Sequence, residues 1–146
     1  MATFERALAL AREAHAGQID KAGAPYIAHV ERVAAGVHRP DEKIVAILHD
    51  VVEDSADWTL ERLSAEGFSD RIVAAVDALT RREREDYLDF VRRAMADPLA
   101  RPVKRADLLD NLDKTRLSAA TPEAEARMDR YRRALAMIDE AGASNA

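Results

Sequence analysis

"EKIVAILHDVVED", residues 42 to 54, is apolar almost all round, yet it carries one histidine and three carboxylates toward its end. Ile44, Val45, Ile47, Leu48, Val51 and Val52 leave no polar face wide enough for a surface helix. Residues 42 to 53 therefore read as one helix buried by neighbours on several sides, at the centre of the fold. Within it His49, Asp50, Glu53 and Asp54 stand at i, i+1, i+4 and i+5, so His49 with Glu53 and Asp50 with Asp54 leave one sector of the helix. Carboxylates crowded in a low-dielectric place repel one another and lose hydration, so a cation, a proton or a donor must compensate each. One divalent metal compensates several at once.

Outward from this segment the period stays helical, and strand-like alternation is absent. Phe4, Ala7, Leu8, Ala11 and Ala14 form a first stripe, and "GQIDKAGAP" at 17 to 25 a loop. Ile27, Val30, Val33 or Ala34, and Val37 form a second stripe that ends at "HRPDE". Short helices follow near 59 to 66, 69 to 80 and 86 to 96, then a stripe of Val103, Ala106, Leu109 and Leu112. Thr121 supplies an N-cap and Pro122 a first-turn proline for a C-terminal helix at about 122 to 140, carrying Met128, Tyr131, Leu135 and Ile138. The expectation is an all-α, single-domain bundle of about seven or eight helices over residues 1 to 146.

The chain has 146 residues, enough to bury a core without disulfides, and no cysteine, so any metal must be held by nitrogen and oxygen ligands. A net charge of −5, spread over interleaved acids and bases, gives no basic stripe for polymeric nucleic acid. No apolar stretch approaches the length needed to cross a membrane. A soluble, cytoplasmic protein with no targeting segment is expected.

Two further polar heads interrupt apolar stripes: His29, after Tyr26 and Ile27, and Asp107, between Ala106 and Leu108. With His49 and Asp50 they would make a mixed nitrogen and oxygen site from three helices, suited to manganese (Mn2+) or iron (Fe2+) rather than to a closed zinc site. A lone histidine in an apolar helix is more often a hydrogen-bonded core residue than a ligand, and Glu53 and Asp54 also read as the solvated end of their helix. His15 and His38, near a loop and a turn, read as surface or local packing residues.

"PYIAH" at 25 to 29, "LHDVVED" at 48 to 54 and "KRADLLDN" at 104 to 111, in this order, resemble the HD-domain metal-dependent phosphohydrolases. The spacing is closest to the small alarmone hydrolases and the hydrolase half of the bifunctional (p)ppGpp synthetase/hydrolases. "AHAGQIDKAG" at 14 to 23 and "ALT" at 78 to 80 also stand in family-like places, and the likeness covers roughly residues 3 to 117. It implies an HD-type bundle in which His29, His49, Asp50 and Asp107 hold the metal, usually manganese. It further implies that Glu53 and Asp54 orient and deprotonate the attacking water, and that Lys21 and Asn111 contact a small phosphorylated nucleotide.

The departures from the family pattern bear on the substrate. Asp20 stands where an arginine is common, and Leu108, Asp110 and Asp113 replace residues that are commonly basic or histidine. Val30 takes the place of the usual proline. These changes remove positive charge from the expected substrate surround. Arg81, Arg82 and Arg84 in "TRRERE" would restore it only if that loop covers the site, and otherwise form a solvated turn. The resemblance implies (p)ppGpp 3′-pyrophosphohydrolase activity. The alternatives are an HD phosphatase or pyrophosphohydrolase for another small nucleotide, and a metal-dependent nucleotide-binding module without turnover.

Overall fold

The computed structural model describes residues 2–20, 23–117 and 121–144. Its elements among these residues are α1 (Phe4–Ala14), α2 (Tyr26–Ala35), α3 (Pro40–Leu48), the single turn α4 (Val51–Asp54), α5 (Leu60–Ala65), α6 (Asp70–Ala78), α7 (Tyr87–Met95), α8 (Ala100–Leu117) and α9 (Pro122–Ser144). The expected all-α bundle is what forms, with eight helices longer than one turn among the described residues. No helix among the described residues is long and apolar enough to cross a membrane.

Local chemistry sets most boundaries. Thr3, Thr59 and Ser69 cap α1, α5 and α6 by accepting from the backbone N–H three residues on. Asp86 caps α7 through both Leu88 N and Asp89 N, and Thr121 Oγ1 accepts from Ala124 N at 3.1 Å to open α9 as expected. The helix then runs to Ser144, beyond the expected end near 140.

The central helix departs from expectation. It is not continuous over 42 to 53: α3 ends at Leu48, Asp50 sits at φ −109° and ψ 1°, and α4 begins at Val51. The His49 ring supplies a reason, because its Nδ1 donates at 2.6 Å to Ala46 O, the carbonyl that Asp50 N–H would take in an unbroken helix. The acids beyond the break are thus placed by a separate turn.

Ile44 to Leu48 are all buried, and α3 packs against α1, α2, α6 and α8. The α2–α8 approach is close at Gly36, where an added Cβ would lie 3.3 Å from Ala106 Cβ. That glycine lets the two helices carrying His29 and Asp107 come together. On α8 Val103 and Leu112 of the expected stripe are buried and Ala106 packs on the core, but Leu109 is 39% exposed, and Leu108 is buried instead, packed with Val91, Ala134 and Ile138 against α7 and α9. The cause is that α8 is covered on two sides, so its inward arc is wider than one stripe.

Leu10 is fully buried in α1, which packs against α3. Leu10→Ala is expected to cost about 2–5 kcal/mol in urea unfolding. A loss under about 1 kcal/mol would mean that α1 is not docked on the core.

Candidate metal centre

α2 brings His29, the break after α3 brings His49 and Asp50, and α8 brings Asp107 to one place. One ligand atom from each lies within 4.8 Å of every other. His29 and His49 are 1% and 2% exposed. His29 Nε2 stands 3.0 Å from Asp107 Oδ1, and His49 Nε2 stands 3.4 Å from that same oxygen and 3.0 Å from Asp50 Oδ2. Two donors bound at about 2.1 Å and at right angles on one octahedral ion are about 3 Å apart, so these spacings suit a shared cation.

The donor set also asks for a cation on electrostatic grounds. His49 Nδ1 donates to Ala46 O, and the buried Nε2 has no hydrogen-bond partner while it faces two carboxylates. Burial disfavours a charged His49 ring, but Asp50 and Asp107 outweigh it and drive its pKa well above the ordinary value. Burial likewise opposes ionisation of Asp50, yet His49 beside it and the Tyr26 hydroxyl, which donates to Asp50 Oδ2, hold its pKa at about 2. Tyr26 is itself pushed upward by burial and by Asp50. A divalent metal meets the same demand for positive charge, and the four residues fit one.

Asp107 has its two oxygens divided. Lys104 Nζ, buried on the same helix, donates to Oδ2 at 3.1 Å, and Asn111 Nδ2 donates to Oδ1 at 3.1 Å on the histidine side. Lys104 also lies over the Phe90 ring at 4.7 Å. Burial alone would lower its pKa, but Asp107 overcomes that and raises it. Lys104 was legible in the chain only as an i, i+3 partner of Asp107.

A cavity of about 250 Å³ opens onto the cluster, lined among others by Glu53, Arg81, Tyr87, Lys104 and Tyr131. The expected acidic pair is divided between two surroundings. Glu53 lines the cavity, whereas Asp54 accepts from Gln18 Nε2 at 3.2 Å and lies 4.0 Å from His15 Nδ1. Burial, and then Asp50, raise the pKa of both acids. His15 is 3% exposed, with Nδ1 held by Gln18 Oε1 at 2.9 Å, so it is a local packing residue and not a surface one. Asn111 lines the cavity; Lys21 lies outside the described residues.

Arg81 sits at the cavity wall, its guanidinium 5.5 Å from the Tyr87 ring centroid, while Arg82 pairs with Asp77 at 2.6 Å. The loop is thus divided: Arg81 lines the cavity while its Nε and Nη2 donate to Glu85 O, and Arg82 is held by Asp77 of the preceding helix α6.

The departures from the family pattern lie elsewhere than expected. Asp20 Oδ1 accepts from Ala24 N at 3.0 Å and closes the loop between α1 and α2. Leu108 is core, and Asp110 and Asp113 line a separate groove between α2 and α8, behind His29.

A family model described as HD domain matches residues 7–142. A probable GTP pyrophosphokinase of Mycobacterium leprae is 33% identical over 143 residues, 89% of this chain and 18% of that protein. A guanosine-3′,5′-bis(diphosphate) 3′-pyrophosphohydrolase of Aquifex aeolicus is 33% identical over 121 residues, 75% of this chain and 17% of that protein. The chain therefore spans less than a fifth of the length of these curated relatives. A solved structure, described as a metazoan ortholog of SpoT that hydrolyzes ppGpp and plays a role in starvation responses, superposes with a TM-score of 0.77 at 25% identity, covering 94% of this chain and 85% of that one.

Proposed function

The chain belongs to the HD domain family, and from that premise we propose that it is a metal-dependent phosphohydrolase which removes the 3′-pyrophosphate of (p)ppGpp. Residues 1 to 146 then act as one HD-type unit, working on a small nucleotide in the cytoplasm. The observation that carries this reading is the buried His49 Nε2, partnerless and facing Asp50 and Asp107 at the floor of a cavity whose wall bears Glu53, Arg81 and Lys104. Relatives named for this activity, and a solved ppGpp hydrolase of like fold, support the choice of substrate.

When bound by His29, His49, Asp50 and Asp107, a divalent ion, taken as manganese with iron(II) as the second candidate, supplies positive charge against phosphoryl oxygens and acidifies water. In the hydrolysis, water oxygen bonds to the phosphorus attached to the 3′-oxygen, and the bond between that phosphorus and the 3′-oxygen breaks. The 3′-oxygen takes a proton, returned by the acid that accepted the water's or by solvent, so that pyrophosphate and GDP or GTP with a free 3′-hydroxyl are the products. Glu53, in the cavity, is placed to take the proton of the attacking water, with Asp54, the next residue and held by Gln18, as the second acid of the pair. Arg81 is a cation at the cavity wall that can meet a phosphate, Lys104 being engaged by Asp107, and Asn111, one turn beyond Asp107, holds that carboxylate while facing the nucleotide. Asp20 and Asp113 weigh little against this substrate, since one closes a loop and the other lines a groove behind His29.

The test is incubation of metal-stripped protein with ppGpp and a panel of nucleoside phosphates, with and without manganese, with products resolved by anion exchange. Manganese-dependent formation of GDP and pyrophosphate, faster than turnover of any panel member, is expected. Cleavage of another nucleotide would keep the chemistry and replace the substrate. Metal-dependent binding without turnover would make the chain a binding module.

A further inference from the structure

The geometry points to Asp110 as the positioning residue that aims His29 at the metal site, with Arg32 holding Asp110 in turn; this rests on the reading of His29 as a ligand. His29 Nδ1 donates to Asp110 Oδ2 at 2.6 Å. Arg32 clamps the same carboxylate from outside, with Nε at 2.7 Å from Oδ1 and Nη2 at 3.2 Å from Oδ2. The Asp110 side chain is 13% exposed and that of Arg32 46%, so the chain runs from solvent through a guanidinium and a carboxylate to a buried ring.

The arrangement follows from helix periodicity. His29 and Arg32 are three residues apart on α2, as are Asp107 and Asp110 on α8, so two adjacent turns of each helix meet the other at matching heights. His29 meets Asp107 Oδ1 through Nε2 at 3.0 Å and Asp110 through Nδ1, and Arg32, one turn on, meets the same Asp110. A neutral imidazole carries its proton on one nitrogen only. A carboxylate at 2.6 Å on Nδ1 favours the proton there over the longer Nε2 contact with Asp107, which frees the Nε2 lone pair for a cation, fixes the ring plane and makes the ligand more basic.

His49 solves the same problem by other means. Its Nδ1 donates to the backbone carbonyl of Ala46 at 2.6 Å, and its Nε2 faces the same Asp107 oxygen. Both buried rings are therefore fixed from the Nδ1 side with Nε2 turned to one point, His49 by a neutral carbonyl and His29 by an anion. Arg32 explains how the site tolerates a third carboxylate, since its charge is balanced on the side away from the metal position. Asp110 is thus a strengthening of the metal centre, placed where the family pattern led to an expected loss of positive charge around substrate.

A merely structural role, an ion-pair tie between α2 and α8, would leave metal affinity and tautomer unmoved. The test uses the full chain without metal, in two measurements. First, 15N NMR of histidine-labelled protein, at a pH where the ring is neutral and with His29→Ala to assign the signal, should find the His29 proton on Nδ1. Second, manganese(II) titration followed by electron paramagnetic resonance should find affinity lowered on the order of 10–100-fold by Asp110→Ala. Asp110→Asn should lose less, because its amide oxygen still accepts from Nδ1–H, and it serves as the test variant if the alanine protein fails to fold. A His29 proton on Nε2, or unchanged manganese affinity in both variants while His29→Ala loses it, would overturn the inference and leave the ligand set standing. Wild-type affinity in His29→Ala would overturn the ligand set itself, and the positioning role with it.

Discussion

His29→Ala and Asp107→Asn are each expected to lose manganese affinity by more than about 100-fold, beyond what loss of an outer partner costs, and to lose hydrolysis with it. The two residues sit on different helices and meet at 3.0 Å, so a cation between them is also a link between α2 and α8. Binding to the folded state alone stabilises it by about 4 kcal/mol at a thousandfold excess over the dissociation constant. Manganese should therefore raise the melting temperature of the wild-type protein and leave both variants where they melt without it. The choice of asparagine at 107 matters. Alanine there would strand the buried Lys104 ammonium without its 3.1 Å partner, a loss of about 3–5 kcal/mol that has nothing to do with metal. Wild-type metal content in both variants would refute the ligand set, and a manganese-dependent melting shift that survives in them would refute the link between the helices.

Much of this centre was legible in the chain because burial leaves few reasons for an ionisable side chain inside an apolar stripe. His29, His49, Asp50 and Asp107 each interrupt such a stripe, and the fold brings those four together. The elements were legible for the same reason, as with the Thr121 and Pro122 start of α9. What periodicity could not supply was any feature made by a contact between distant segments. The break after α3 comes from a side chain capturing its own helix's carbonyl, which leaves no trace in an apolar pattern. Leu108 rather than Leu109 is buried because α9 covers the far side of α8. Asp110 looked like a change in the substrate surround because its partners, His29 and Arg32, lie about eighty residues earlier. His15 looked like a loop-edge residue for a similar reason, with Tyr26 only 4.9 Å away in space.

Glu53→Gln is expected to lower the hydrolysis rate by about 10²–10⁴-fold, the usual worth of a positioned proton acceptor, while manganese affinity stays within a few-fold of wild type. The amide keeps the shape of the carboxyl and removes only its ability to take a proton, and Glu53 is outside the four-residue cluster. Asp54→Asn is the paired experiment, because the two acids have different surroundings: Glu53 faces the cavity, and Asp54 is engaged by Gln18. Burial first, and Asp50 second, raise the pKa of both. With a cation held beside Asp50 only the burial part of that rise stands, and burial keeps the acid protonated, and so unable to accept, to a higher pH than an ordinary carboxylate; the rate should accordingly climb with pH above the usual carboxylate range. The variant in which that climb disappears identifies the proton acceptor, and the cavity position assigns it to Glu53. Equal and unchanged rates in both variants, with metal bound, would remove the acids from the mechanism and leave the metal cluster and Arg81 as the whole of the catalytic apparatus.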